Sequence, residues 1–268
     1  MTANDPGARR PDRRNRLGVG RWSFGSRLVL GTGKYTDFAT MERALAASGT
    51  ECVTVAIRRI PLGQPGETIL DRIDRGRCTI LPNTAGCFTA DEAVRTARLA
   101  RELLGHELLK LEVLYDQRSL LPEPLETLAA LDTLVKDGFT TMVYCGDDPV
   151  LAKRYEERGA AAVMPLGSAI GSGLGILNPR NIEFIVAHAK VPVLVDAGLG
   201  TPSDVALAME LGADGVIVNT AVAKARDPVA MAEAMRLACE AGRRGFGAGR
   251  APGRPEGEAS SPLEGVVR

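Results

Sequence analysis

Histidine is almost missing from this chain: His106 and His188 are the only two in 268 residues, and neither lies near a cysteine or carboxylate cluster with metal-ligand spacing. A catalytic zinc site or a histidine-based triad is therefore not expected, and no metal site is assigned. Net charge is missing too. Lys plus Arg equals Asp plus Glu at 33 each, so no overall field draws the protein to nucleic acid or an anionic membrane, and any anion site must be local. No run approaches the roughly 20 apolar residues that cross a bilayer, and the N-terminus lacks the apolar segment of a secretory signal. A cytoplasmic location is expected. The five cysteines, Cys52, Cys78, Cys87, Cys145 and Cys239, are odd in number and scattered through apolar runs. They read as reduced, mostly buried thiols rather than disulfides.

What is present is an ordinary globular balance, with 45% hydrophobic and 25% charged residues. The ends depart from it. Residues 1–25 are rich in Arg, Gly, Asp, Asn and Pro without a sustained apolar period, and read as a disordered extension. Its arginines could suggest an import signal, but Asp5, Asp12 and two prolines oppose an amphipathic transit helix. Residues 247–268, rich in Gly, Pro and Ser, read as a flexible tail.

Between the ends, over residues 26–246, one pattern repeats: a short apolar run, a loop with Gly or Asn, then a segment of helical period. Eight strands are expected, at 27–33, 52–58, 78–84, 108–113, 141–146, 161–167, 191–198 and 215–220. Most are apolar on both faces, as parallel strands covered by helices are. Helices are expected at 37–48, 90–104, 124–136, 149–158, 179–189, 202–211 and 228–243. Asp148-Pro149, Asn178-Pro179, Thr201-Pro202 and Asp227-Pro228 supply N-cap and first-turn pairs, and Gly49, Gly138, Gly159 and Gly212 suit left-handed C-terminal caps. The stretch 61–77 is weakly helical, which allows one short or irregular helix. Eight such units in about 240 residues fit a single (β/α)8 TIM barrel, with an open doubly wound sheet as the alternative topology.

Lys110 stands in Leu108-Leu109-Lys110-Leu111-Glu112-Val113, where a buried strand ordinarily takes apolar side chains. Alternation places Lys110 and Glu112 on one face, about 7 Å apart along the strand. If Leu109, Leu111 and Val113 face the helices, Lys110 and Glu112 face the barrel interior. Desolvation there would lower the lysine pKa and supply the neutral amine that Schiff-base chemistry requires, with Glu112 as proton partner. A structural Lys–Glu pair, or a register turning both to solvent, is the competing reading. Lys34, following LGTG, is a second candidate lysine and reads more readily as a solvated loop residue. Asp196 closes a strand at the end where barrel active sites form and could move protons, or simply cap a turn. The segment 167–175 (GSAIGSGLG), with Ala197-Gly198 and Asn219-Thr220, could aim backbone N–H groups at a phosphate, or make only tight turns. Its spacing is not a dinucleotide fingerprint. Arg58-Arg59 and Asn83-Thr84 fall on the same face, with roles left open.

The segments SRLVLGTGKY, VTVAIRR, LPNTAGCFTADEAVRTARLARE, LKLEVL, DDPVLAKR, AAVMPLGSAIGSGLGILNP, VPVLVDAGLGTPSD, MELGADGVIVNTA and SSPLEG resemble the thiazole synthase family of bacterial thiamine biosynthesis. The resemblance covers about residues 26–265. It implies a transferase that condenses 1-deoxy-D-xylulose 5-phosphate, a glycine-derived imine (2-iminoacetate) and sulfur from a carrier protein's C-terminal thiocarboxylate into a thiazole phosphate carboxylate. It further implies that Lys110 forms the Schiff base, that Glu112 and Asp196 are acid–base residues, and that Gly171, Ala197, Gly198, Asn219 and Thr220 hold the sugar phosphate. No cofactor is implied beyond the covalent imine. The implied partners are the small sulfur carrier, an enzyme supplying the glycine imine, and further copies of the chain in a homotetramer. The N-terminal extension and 115–118 (YDQR) depart from the usual family wording and touch none of these residues. Rival readings are another Schiff-base barrel, such as a class I aldolase or the synthase subunit that builds pyridoxal phosphate, and a non-catalytic phosphate-binding scaffold.

Overall fold

In the computed structural model, which describes residues 16–60, 66–251, 253 and 255–258, strands and helices alternate almost throughout. In chain order the elements are β1 (Leu17–Val19), β2 (Trp22–Phe24), β3 (Leu28–Gly31), α1 (Phe38–Ser48), β4 (Cys52–Ala56), β5 (Thr79–Asn83), α2 (Ala90–Leu104), β6 (Leu108–Leu111) and α3 (Pro124–Lys136). There follow β7 (Thr140–Cys145), α4 (Pro149–Glu157), β8 (Ala162–Pro165), α5 (Pro179–His188), β9 (Leu194–Val195), α6 (Pro202–Glu210), β10 (Gly215–Val218), α7 (Thr220–Ala223) and α8 (Pro228–Ala248). Strands β3 to β10 form one parallel sheet in the order β8-β7-β6-β5-β4-β3-β10-β9. Its two ends meet. Val163 N donates to Pro192 O at 3.0 Å and Asp196 N to Pro165 O at 3.0 Å, so β9 joins β8. The barrel, not the open sheet, is the fold.

Local chemistry explains the helix ends. The side chains of Asp148, Asn178, Thr201 and Asp227 all accept hydrogen bonds from first-turn N–H groups, and each is followed by proline. Gly49, Gly138, Gly159 and Gly212 all have positive φ. The second unit is irregular: two 3₁₀ turns, Ile57–Arg59 and Ile69–Arg72, stand among the described residues after β4.

Strand alternation divides the core. Leu109, Leu111 and Val113 pack beneath the helices, whereas Leu108 packs with Val29, Cys52, Leu81, Met142, Met164, Leu194 and Ile217 inside the barrel. That interior group also contains Leu17, Val19 and Phe24. Residues 17–24, expected as part of a disordered extension, instead form a hairpin. Three apolar side chains among arginines and glycines carry no visible period, yet they plug the end of the barrel where the strands begin. Contacts just before the strands place the plug: Trp22 Nε1 donates to Glu107 Oε1 at 3.3 Å, and Gly25 N to Glu51 Oε2 at 2.6 Å. Residues 1–15 lie outside the described residues.

The last helix also runs further than expected, to Ala248 rather than about 243. Phe246 anchors its final turn: a Cβ on Gly212 would lie 2.8 Å from the Phe246 ring. Residues 259–268 of the expected tail lie outside the described residues. All five cysteines are free thiols. No helix of the described residues is long and apolar enough to cross a membrane.

Candidate active site

The strands open at their C-terminal ends into a cavity of about 1030 Å³. Lys110, Glu112, Asp196, Gly171, Ala197, Gly198, Asn219 and Thr220 all line it. Lys110 and Glu112 point inward as alternation requires. Lys110 Nζ lies 3.2 Å from Glu112 Oε1 and pairs with Asp196 Oδ2 from across the barrel. The three side chains are buried, at 5–6% exposure, so this is an ammonium held between two carboxylates away from bulk water.

This geometry corrects one expectation. Burial alone would lower the Lys110 pKa, and it is the largest single influence, but Asp196 and Glu112 together outweigh it and push the ammonium above its ordinary value. Glu112 moves up as well, because burial and the negative charge of Asp196 exceed the pull of Lys110. Both shifts favour a proton inside the triad. The two carboxylates are the groups nearest to the Lys110 ammonium.

Surrounding residues fix these side chains. Thr84 Oγ1 accepts from Glu112 N at 2.8 Å and donates to Glu112 O at 2.7 Å, which locks the backbone just past β6. Asp196 Oδ1 accepts from Ala197 N at 2.8 Å. Tyr144, fully buried on the interior face of β7, sets its ring 5.8 Å from Lys110 Nζ. Asn83 donates from Nδ2 to Thr54 Oγ1 at 2.8 Å beside Lys110 in the sheet register. The sequence reading missed Tyr144. Its only signal is position, since Met142 and Tyr144 share the inward face and a tyrosine near the strand end approaches the open mouth.

The second half of the site is backbone. Gly171, Gly173 and Gly175 have positive φ, and so does the non-glycine Ala197, at +57°. At Gly198, φ is +75° and a Cβ would fall 2.0 Å from Ser168 Oγ, so no larger residue fits without displacement. Gly175 N donates to Gly198 O at 2.8 Å, tying the loop after β8 to the loop after β9. Among the described residues, the N–H groups of Gly171 and Gly198 meet no acceptor. The Asn219 side chain faces elsewhere: with its amide oriented to satisfy both ends, it donates to Gly33 O at 2.9 Å and Gly31 O at 3.3 Å, pinning the loop after β3. Arg58 and Arg59 divide. Arg58 pairs with Glu92 at 3.5 Å and with the Gly86 carbonyl on the rim, while Arg59 lines the cavity.

A lysine flanked by carboxylates beside free backbone N–H groups can form an imine with a carbonyl compound that carries an anionic group. The family model described as thiazole biosynthesis protein ThiG matches residues 18–262. The chain belongs to the ThiG family. It is similar to the thiazole synthase of Rhodospirillum rubrum, 60% identical over 91% of this chain and 85% of that one. It is also similar to the thiazole synthase of Aromatoleum aromaticum, 61% identical over 91% and 95%. A solved chain of the Amycolatopsis orientalis BexX/CysO complex superposes with a TM-score of 0.81 at 31% identity, covering 90% of this chain and 98% of that one. The family is one of enzymes of thiamine biosynthesis, named thiazole synthases.

Proposed function

We propose that this chain condenses 1-deoxy-D-xylulose 5-phosphate, 2-iminoacetate and sulfur from a thiocarboxylated carrier protein into a thiazole phosphate carboxylate, through an imine on Lys110. The buried ammonium between Glu112 and Asp196 carries this reading. The sugar phosphate rests on the free N–H groups of Gly171 and Gly198 beside Thr220, with Ala197 shaping the turn and Asn219 holding the neighbouring loop. Lys110 first passes a proton to Glu112 or Asp196, the nearest acceptors, an uphill step because the same carboxylates hold the ammonium above its ordinary pKa. The amine then adds to the ketone. The carbinolamine loses its hydroxyl as water, taking a proton back from the carboxylic acid, and leaves an iminium. The iminium acidifies the neighbouring C–H. Loss of that proton to a carboxylate gives an enaminol, and reprotonation at carbon moves the carbonyl one position along the chain. The thiocarboxylate sulfur adds to that carbonyl carbon as its oxygen takes up a proton, and hydrolysis of the resulting thioester leaves the sulfur on the substrate and frees the carrier as its carboxylate. No resident cofactor enters the scheme.

The BexX/CysO complex, in which a chain similar to this one stands with a second protein, supports a carrier partner here. A homotetramer and an enzyme delivering the glycine imine complete the assembly we infer from the family.

Borohydride reduction in the presence of 1-deoxy-D-xylulose 5-phosphate, read by peptide mass spectrometry beside Lys110→Ala, tests the proposal. The expected result is a sugar-phosphate adduct on the Lys110 peptide that the variant lacks. An adduct on another lysine, or none, overturns it. Thiazole formation only with thiocarboxylated carrier separates this chemistry from that of an aldolase.

A further inference from the structure

Sequence alone suggests a solvated loop for Lys34, yet the structure places it in the cavity wall. Its backbone has φ of +72°, a conformation that L-residues with a long side chain seldom adopt. Its Nζ donates to Thr220 Oγ1 at 3.3 Å, and a Cβ on Gly171 would stand 3.5 Å from the same nitrogen. The ammonium thus sits between the loop after β8 and the start of α7, beside Gly171, whose N–H meets no acceptor among the described residues. Among the described residues it has no carboxylate partner, unlike Lys110 and Lys153.

We infer that Lys34 is a substrate-binding residue, the cation that selects a phosphorylated sugar by pairing with its phosphate. This assignment rests on the phosphate site proposed above and deepens it. Backbone N–H groups supply direction but little net charge, so a site built from Gly171 and Gly198 alone would bind neutral and dianionic oxygens with modest preference. A single ammonium on the loop after β3 changes that, because charge-assisted hydrogen bonds to phosphate are about twice as strong as neutral ones. The ligand replaces the hydroxyl of Thr220 as partner, and the loop geometry is set before it arrives. Asn219 contributes indirectly by bonding the carbonyls of Gly31 and Gly33, which holds the turn that presents Lys34.

The positive φ supplies a clean test. Lys34→Gly relieves the backbone while removing the ammonium, and Lys34→Arg keeps a cation. Two readouts are required: affinity for inorganic phosphate by isothermal titration calorimetry, and the concentration of 1-deoxy-D-xylulose 5-phosphate that half-saturates borohydride-trapped imine. Lys34→Gly is expected to weaken both by about 10- to 100-fold, leaving the maximal yield of imine unchanged, and Lys34→Arg to recover most of the loss. Imine formation with unphosphorylated 1-deoxyxylulose should respond little to either variant. Unchanged phosphate affinity in Lys34→Gly, or equal losses with both sugars, overturns the inference. Failure of the unaltered protein to form any imine would instead count against the proposed reaction, while the phosphate titration would still judge Lys34 on its own.

Discussion

The two ends of the barrel interior are built by opposite rules. Where the strands begin, Leu17, Val19 and Phe24 of the hairpin meet Cys52, Leu108 and Leu194 in a sealed apolar layer. Two residues further along the same strands the inward positions become Thr54, Asn83, Lys110 and Asp196, all buried. The lower layer gains from every side chain removed from water, whereas the upper layer holds charges whose desolvation only mutual pairing offsets. Stability is therefore concentrated at one end of each strand and chemistry at the other. Strand register connects them, since a slip by one residue would bring Leu109 and Leu111 into the site and turn Lys110 under the helices.

Removing the lysine should separate the two ends most sharply. Lys110→Ala is expected to abolish imine formation and lower turnover by at least about 10³-fold, since covalent catalysis is lost outright. It also leaves Glu112 and Asp196 facing each other with no cation, a change of the kind that costs about 3–5 kcal/mol when a buried pair is broken. At least one of the two carboxylates then keeps its proton to a higher pH in the folded chain than in the unfolded one. The folded state binds more protons across that interval, so stability must fall as pH rises through it. Thermal melts of the variant should accordingly show a smaller deficit at pH 5 than at pH 8. An equal deficit at both would mean that the carboxylates are not coupled as described.

The reverse experiment attacks the sealed end. Phe24, only 3% exposed, is expected to cost about 3–5 kcal/mol on truncation to Ala, measured by denaturant unfolding. Imine yield per folded molecule should be unchanged, because no side chain of the hairpin lines the cavity. A loss of imine at full folding would show that the plug positions the site as well as supporting it.

Glu112→Gln acts within the upper layer. The amide keeps shape and can still bond to Lys110, so trapped imine is expected to persist while turnover falls about 10²-fold, the usual contribution of one positioned acid–base group. Burial holds the Glu112 pKa above the ordinary carboxylate value. The base is lost as pH drops through that raised pKa, so the acid limb of kcat/KM should lie above the usual carboxylate range. In Glu112→Gln that limb should move or disappear. If it stays in place, Glu112 is not the group that sets it.

How far the sequence foretold this contrast depends on the range of each interaction. The pairing of Lys110 with Glu112 follows from alternation within one strand, and the N-caps at Asp148, Asn178, Thr201 and Asp227 follow from first-turn chemistry. Both are local and both were legible. The upward shift of Lys110 was not, because it requires Asp196 to arrive from another strand, and only barrel closure brings it there. The hairpin was hidden for a related reason: Leu17, Val19 and Phe24 look like isolated apolar residues until an open barrel end gives them a surface to cover. Lys34 escaped because a positive φ at a non-glycine residue leaves no mark on composition or period.

Ala197 offers the smallest and most discriminating change. Its φ of +57° places a methyl group in the left-handed region, at a cost of about 1–2 kcal/mol for an L-residue. Ala197→Gly removes that strain but loosens the unfolded chain, which opposes it by about 0.4–1 kcal/mol. The two effects nearly cancel, so the melting temperature should move by no more than about 4 °C for a domain of this size. Function should respond differently. Ala197 follows Asp196 directly and its N–H bonds Asp196 Oδ1, so a freer backbone lets the carboxylate wander from Lys110. A few-fold slower approach to maximal imine yield, with stability held, is the expected outcome. If imine formation is as fast as in the unaltered chain, the left-handed turn serves packing against the loop after β8, and Asp196 owes its position to the strand alone.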